Sequence, residues 1–599
     1  MKTPLNFFFP QLLALSLVIQ NASAGDNALP VQGTPVFVAA SMSDFRLGGE
    51  GPQAKYSTPS VEGQAFDRAI RVQVADRTPN AWDVQILTPP TTVPLKKGDH
   101  LLAIVNVRCT AAPDGVGRFS AYIQSSESPW TGLGGTDATA GKEWKRLYIE
   151  GKAVQDFAAG TYELTFHLGT QAQTLEFGGI TMLDLGPNVD ESKLPFTPIT
   201  YPGEEPDAPW RAAAAERIDK YRKGDLTVRV VDKDGRPVAG AKVHVQMLRH
   251  AYGFGTFLES EAMTGSGPDT DRLREWTLKL FNRCTTPIYW ADWGWANPHT
   301  RETYLECARW AADHMLYTRG HCIIYPGWQF LPRSVKPLAA DPPALRKQLL
   351  DHVAEVTDAT RQFNFSEYDV TNELRDLTEV TGILGKEAVV EWFKTARQHA
   401  PASRMAINEN TILTRGGMTQ REQDTYAGWI QYLIDHGQGP DVIGMQAHFG
   451  DAVTGPETVL RIIDRFAKFG KAIQITEFDL PTRDEQGQAR YTRDFLTAVF
   501  SDPATDGFTM WGFWEGRMWQ PPAAMIRKDW TLKPNGQAWM DLVLKQWWTD
   551  TRMATGPDGS CAARGFLGDY KITATVAGRE KSTLVKLTKP ATTALLTLD

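Results

Sequence analysis

Ile473-Gln474-Ile475-Thr476-Glu477-Phe478-Asp479 is a short apolar run that closes on two acids. Its β-branched residues suit a buried strand. Acids have no place in a packed interior unless they line an opening. The run opens near Ala472, and seven others like it begin near Tyr252, Cys284, Tyr317, Ser366, Arg404, Asp441 and Gly507. Helical patterns lie between them, for example over 271–280, 302–316, 343–361 and 420–436. Strands alternating with helices imply a parallel sheet. Eight such units over residues 250–547 predict an α/β fold, a closed (β/α)8 TIM barrel, with its chemistry at the carboxyl ends of the strands.

Glu477 ends the seventh of these strands. The fourth, Tyr368-Asp369-Val370-Thr371-Asn372-Glu373, also ends on an acid. Two carboxyl groups flanking one bond are what glycoside hydrolysis requires: one protonates the leaving oxygen, and in a retaining enzyme the other attacks the anomeric carbon. Gln446 and His448 close the sixth strand two residues apart, so they face one side of it. Both are expected to hydrogen-bond a carboxylate on the neighbouring seventh strand. A lone histidine is more often a core residue, and here its company argues for the site. Tyr289, Trp290, Trp293, Trp295, Trp328, Trp514 and Trp519 fall near strand ends. Some pack loops, and the rest offer flat faces for sugar rings.

The flanks read differently. Residues 1–24 have a basic start at Lys2, a short apolar stretch and a small-residue site at Ala22-Ser23-Ala24, the pattern of a signal peptide. The mature protein is expected to be secreted or periplasmic, off the membrane and a monomer. Residues 30–188 carry alternating runs with Gly, Pro and Asp punctuation, which predicts a β-sandwich of jelly-roll type. A Pro-rich linker and a short helix occupy 189–224. The segments 225–248 and 565–598 each carry one apolar strand face that a lone hairpin cannot cover, so they are expected to share one small β-sandwich. Within 225–248 the two strands around Asp232–Pro237 read as a hairpin. The net charge of −7 offers no basic face for nucleic acid. The five cysteines fit neither a zinc pattern nor a disulfide framework, although Cys284 and Cys322 fall on neighbouring strands. No metal and no cofactor are expected.

These motifs resemble glycoside hydrolase family 10, the xylanases. Tyr368–Glu373 is similar to the family's W-D-V-x-N-E, and Ile475-Thr476-Glu477-Phe478-Asp479 to its I-T-E-x-D. Gly444–His448 is similar to G-x-Q-x-H, and Tyr252-Gly253-Phe254-Gly255-Thr256 carries the F-G-T of the first strand. Arg319-Gly320-His321, Trp511-Gly512 with Trp519, and Lys533-Pro534 match the third strand, the eighth strand and the closing P-K-P. The resemblance implies Glu373 as acid/base and Glu477 as nucleophile, with Asn372, His321, Asn408, Trp511 and Trp519 supporting or binding substrate. It also implies endo-acting cleavage of a β-1,4-linked plant polysaccharide, with xylan the default. A jelly-roll carbohydrate-binding module is a common companion of such barrels, and Trp82, Trp130 and Trp144 are its candidate platforms.

Three stretches depart from the family. Its T-P-E-N-x-M-K-W becomes Thr286-Pro287-Ile288-Tyr289-Trp290-Ala291-Asp292-Trp293. Its W-H after the third strand becomes Tyr325-Pro326, and its N-D-Y-N becomes Asn408-Glu409-Asn410-Thr411. The acids are kept while much of the sugar-reading shell is not. Two other readings therefore stay open: the same chemistry on another β-glycan or a decorated oligosaccharide, and a carbohydrate-binding protein on an inactive barrel.

Overall fold

A computed structural model describes residues 31–39, 41–49 and 53–598. The leader read over 1–24 lies outside the described residues. The centre of the molecule is a closed barrel of eight parallel strands. These are β1 (Gly253–Phe257), β2 (Arg283–Pro287), β3 (Tyr317–His321), β4 (Glu367–Asn372), β5 (Arg404–Glu409), β6 (Val442–His448), β7 (Ala472–Asp479) and β8 (Thr505–Met510).

Most helices outside it bury one stripe, while Glu485–Ser501 is covered nearly all round. Pro456–Ala467 buries Val459, Ile462, Ile463 and Phe466, the i, i+3, i+4, i+7 set of a single helical face. Caps fix where these helices begin. The Asn297 side chain accepts from the backbone of His299 and Thr300 at the start of Pro298–Asp313, and Asp484 accepts from Gly487 at the start of Glu485–Ser501.

The barrel interior is charged rather than apolar at its lower layer. Arg283 and Arg319 both pair with Glu367, Arg319 also pairs with Asp369, and the Gln474 amide bonds Arg283, Arg319 and Glu367. Burial, with Arg319 alongside, pulls the Arg283 guanidinium down to about 9. Buried charges persist only when each is paired and hydrogen-bonded, and removing one partner costs about 3–5 kcal/mol.

The amino-terminal part is an antiparallel eleven-stranded sheet region built around its own core. Its strands run, in spatial order, Arg46–Gly48, Gln85–Leu87, Tyr162–His167, Gly117–Ser125, Gly132–Ala140, Lys145–Lys152, His100–Ala111, Gln173–Gly186, Ala69–Val74 and Ala54–Ser57, with Thr34–Pro35 on the side of Gln173–Gly186. Phe119, Phe166 and Phe177 pack against one another at its centre.

This region is locked to loops at the catalytic end of the barrel. Arg415 donates to Asp137 at 2.9 Å, and Arg118 donates to the Gly416 carbonyl at 2.6 Å. The barrel loop enters closely enough that a Cβ on Gly416 would meet the Thr139 methyl at 2.6 Å, and Gly416 also has φ +62°. The linker is tied down as well: Tyr201 donates to Asp494 at 2.8 Å, and Arg211 pairs with the same carboxylate at 2.6 Å.

Below the barrel the flanking segments form two sheets. Lys223–Asp232 pairs with Ser560–Phe566 and, in parallel, with Ala591–Leu598. Lys242–His250 pairs with Asp550–Ala554 and Gly568–Val576, and the latter with Arg579–Leu587. The hairpin expected within 225–248 persists only at its turn, where Val238 N–H donates to the Val230 carbonyl and Asp232 N–H to that of Arg236. The two strands go to opposite sheets, since each apolar face is covered by carboxyl-terminal strands rather than by its neighbour in sequence. The unit also begins earlier on the carboxyl-terminal side than expected, at Asp550. All five cysteines, Cys284 and Cys322 included, are free thiols.

Candidate active site

The ends of β4, β5, β6 and β7 converge on one polar cluster. At the end of β4 the chain turns through Glu373 with φ +54°. A left-handed turn at a non-glycine residue costs on the order of 1–3 kcal/mol and persists only where its surroundings hold it. Here the Glu373 N–H donates to the Asn408 carbonyl on β5 at 3.0 Å. The carboxyl receives Gln446 Nε2 at 3.0 Å and Asn372 Nδ2 at 3.3 Å.

Glu477, 3 % exposed, ends β7. Asn408 Nδ2 donates to its Oε1 at 2.6 Å, and His448 Nε2 lies 3.0 Å from its Oε2. The other His448 nitrogen lies 2.8 Å from Asp479 Oδ2. Burial opposes charge on this imidazole, but the hydrogen bonds and charges of Asp479 and Glu477 overcome it and push its pKa up to about 10. The ring is thus an imidazolium at neutral pH, donating from both nitrogens.

The two carboxyls share one chain of amides. Asn408 Nδ2 also reaches Asn372 Oδ1 at 3.0 Å, and Asn372 in turn donates to Glu373. Thr476 Oγ1 donates to Asn408 Oδ1 at 2.7 Å, which fixes the way that amide faces. His321 binds Asp369 through Nδ1 at 2.8 Å and stands 3.9 Å from Glu477 through Nε2. Burial disfavours its charge, yet the nearby Glu477 and Asp369 raise its pKa.

Gln446 does not do what its place in the sequence suggests. It was expected to serve Glu477 and instead donates to Glu373 and Asn372. The β6–β7 register shifts between Met445 and Gln446, and the amide reaches across the mouth to β4.

The aromatic candidates divide. Trp511 packs edge-on against His321 and His448, with ring centroids at 5.1 and 6.1 Å. Trp519 packs on His448 at 5.1 Å and donates its indole N–H to Asp479 at 2.8 Å. Tyr289 sits edge-on to His321 at 5.2 Å, and Trp293, 53 % exposed, joins only through Tyr289. Trp328 lies in the turn Trp328–Phe330, half-buried against the core, and makes no hydrogen bond to either carboxyl. Of the altered family positions, Ile288 is buried, and Asp292 accepts from the Arg333 backbone at 3.2 Å.

Two residues escaped the sequence reading of the site. Asp479 was legible, because it lies two residues beyond Glu477 and so on the same side of β7. Tyr325 was not. Beyond the end of β3 the chain forms one more parallel bridge, Ile324 to Thr371, and this sets Tyr325 beside Glu373. Burial first, then the charge of Glu373 and a hydrogen bond to it, raise the pKa of this phenol.

A closed parallel barrel with paired carboxyls at the ends of its fourth and seventh strands is the architecture of a two-carboxylate glycoside hydrolase. Residues 300–537 match the model of glycosyl hydrolase family 10, and the chain carries a domain of that family. The match begins after β2, downstream of the departing stretch 286–293. The chain is 29 % identical over 385 residues to the anti-sigma-I factor RsgI6 of Acetivibrio thermocellus, which covers 62 % of this chain and 47 % of that protein. It is 25 % identical over 370 residues to endo-1,4-beta-xylanase 1 of Arabidopsis thaliana, covering 59 % of this chain and 37 % of that one. The chain thus spans less than half the length of either curated relative. Among solved structures, xylanase 10B of Thermotoga petrophila aligns with 49 % of this chain and 95 % of its own, at 20 % identity and a TM-score of 0.43.

Proposed function

We propose that this protein is a secreted or periplasmic retaining glycoside hydrolase that cleaves a β-1,4-linked plant polysaccharide, with xylan the default substrate. The observation that carries the reading is the amide chain joining Glu373 to Glu477 through Asn372 and Asn408. It fixes two carboxyls around one bond in different company. Glu477 faces the His448 imidazolium, which suits a carboxylate nucleophile. Glu373 faces neutral amides and a phenol, which suits a group that gives up a proton and takes it back.

In the first step Glu477 attacks the anomeric carbon while Glu373 gives its proton to the departing glycosidic oxygen, leaving a glycosyl ester on Glu477. In the second step Glu373, now a carboxylate, takes a proton from water as that water attacks the same carbon and frees Glu477. The Arabidopsis relatives are endo-1,4-beta-xylanases, which supports the substrate class.

A second reading keeps the chemistry and changes the glycan. Where the family has polar sugar readers, Ile288 is a buried apolar residue and Asp292 is engaged by the Arg333 backbone, which favours a decorated or different β-glycan. A binding-only barrel is disfavoured by the presence of both acids with His448 and Gln446 in contact. The amino-terminal sheet region fits a carbohydrate-binding role. On one of its faces Tyr122, His167 and Trp82 stand in a row, with ring centroids 5.1 and 6.1 Å apart and Trp82 55 % exposed.

The test is release of reducing ends from xylan, mixed-linkage β-glucan, mannan and galactan, with the first-formed anomer followed by NMR. A β-anomer from a β-glycan supports the retaining reading. An α-anomer, or no release from any of the four polymers, overturns it.

A further inference from the structure

Next to the catalytic cluster, a cavity of about 310 Å³ opens between the end of β1 and the loop after β8. Its mouth is framed by Phe257, Trp511 and Trp519, and the latter two are the rings that touch His448. The floor is aliphatic: Leu258, Met263 and Leu273 are all buried. Polar groups are few and specific. Glu259 spends one carboxylate oxygen on the Ala262 N–H at 2.8 Å. Arg517 is exposed at the rim and, among the described residues, has no hydrogen-bond or acidic partner for its guanidinium. On the same wall the Trp514 indole N–H is buried with no acceptor among the described residues. A buried donor left unmet costs about 1–3 kcal/mol, and an open apolar hollow forfeits its packing contacts.

This is a poor site for a bare sugar, which presents hydroxyls on every edge and needs more than two or three polar partners. The apolar groups that a polysaccharide carries are ether methyls and acyl esters. A methyl or acetyl would leave most of the volume empty, whereas an aromatic acyl group is of a size to fill it. We propose that this pocket binds a phenolic acyl ester carried by the glycan, and so selects acylated substrate. The ring lies against Phe257, Trp511 and the aliphatic floor, Arg517 donates to the ester carbonyl, and the free oxygen of Glu259 accepts from the phenol. The inference rests on the glycoside-hydrolase reading above and names the decoration that such a pocket would select.

The experiment uses the full chain with an esterified grass arabinoxylan and the same polymer after mild saponification, which removes esters and leaves sugar branches. Wild type is expected to release reducing ends about tenfold faster from the esterified polymer at low concentration. The ratio should fall toward one in Arg517→Ala, and in Met263→Trp, which fills the floor. Arg517 is exposed, so its variant folds even if the other does not. Quenching of tryptophan fluorescence by a methyl feruloyl-arabinoside, compared between wild type and Arg517→Ala, reads the pocket without hydrolysis. Cleavage of both polymers at equal rates by wild type, or equal ratios in wild type and Arg517→Ala, overturns the pocket and leaves the hydrolase reading standing. Cleavage of neither, with ester binding weakened in Arg517→Ala, sinks the hydrolase reading and supports the pocket. Absence of both cleavage preference and ester binding overturns the proposal outright.

Discussion

His448 Nε2 lies 3.0 Å from Glu477 Oε2 while its Nδ1 lies 2.8 Å from Asp479, so one imidazolium joins two acids on the same side of β7. Its pKa of about 10 in the folded protein exceeds the ordinary imidazole value of 6.5. The stabilisation from its charge is therefore complete below about pH 6.5 and is lost as pH rises through about 10. Since the side chain keeps some solvent contact, the effect is expected to be about 1–3 kcal/mol. Urea unfolding at pH 6 and pH 10 checks this. Wild type should lose more stability between the two than His448→Gln, and equal losses would refute the coupling.

Glu477→Ala is expected to lower kcat by roughly 10⁴-fold with the barrel still folded. Added azide should restore turnover by filling the vacated space and attacking the anomeric carbon, giving an α-glycosyl azide. Near-normal hydrolysis in that variant would remove Glu477 from the mechanism.

Tyr325→Phe takes one donor from Glu373 and leaves the ring stacked on Phe330, with which it has an interplanar angle of 8°. Loss of that donor leaves the acid/base less firmly placed, so kcat/KM should fall roughly tenfold with the melting temperature unchanged. An unchanged kcat/KM would mean that the phenol only packs.

Arg415 and Asp137 bind the sheet region to the barrel across a part-buried contact. Asp137→Lys is expected to separate the two in calorimetry, turning one transition into two, and to speed protease cutting within 189–208. A single transition at the wild-type temperature would show that the other contacts suffice.

Removing residues 565–599 strips Gly568–Val576, Arg579–Leu587 and Ala591–Leu598 from the two sheets under the barrel. It also uncovers His250 and Phe500, which pack on Phe566. The melting temperature should fall by several degrees, on the order of 2–4 °C for each kcal/mol lost. A truncated chain that melts with the full one would mean these strands add nothing to the barrel.

The barrel was legible from the chain because buried parallel strands and amphipathic helices each leave a local period. Each of the eight strands begins within two residues of where its apolar run does. Glu373, Glu477 and His448 were legible for a related reason: a polar residue at the end of a buried strand stands out against its surroundings. Which carboxyl Gln446 would serve was not written locally. It turns on a register shift between β6 and β7, and a shift of one residue redirects a side chain. Tyr325 reached Glu373 only because the chain pairs with β4 once more, at Ile324, three residues beyond the end of β3. In the same way, the strands flanking Asp232–Pro237 look like a hairpin by their turn residues, yet each finds its cover in strands some three hundred residues away. Periodicity and residue type, which act over a few residues, determined the elements and named the acids. Tertiary structure alone decided which donor meets which acid, because hydrogen bonds are short and directional and depend on where distant strands come to rest.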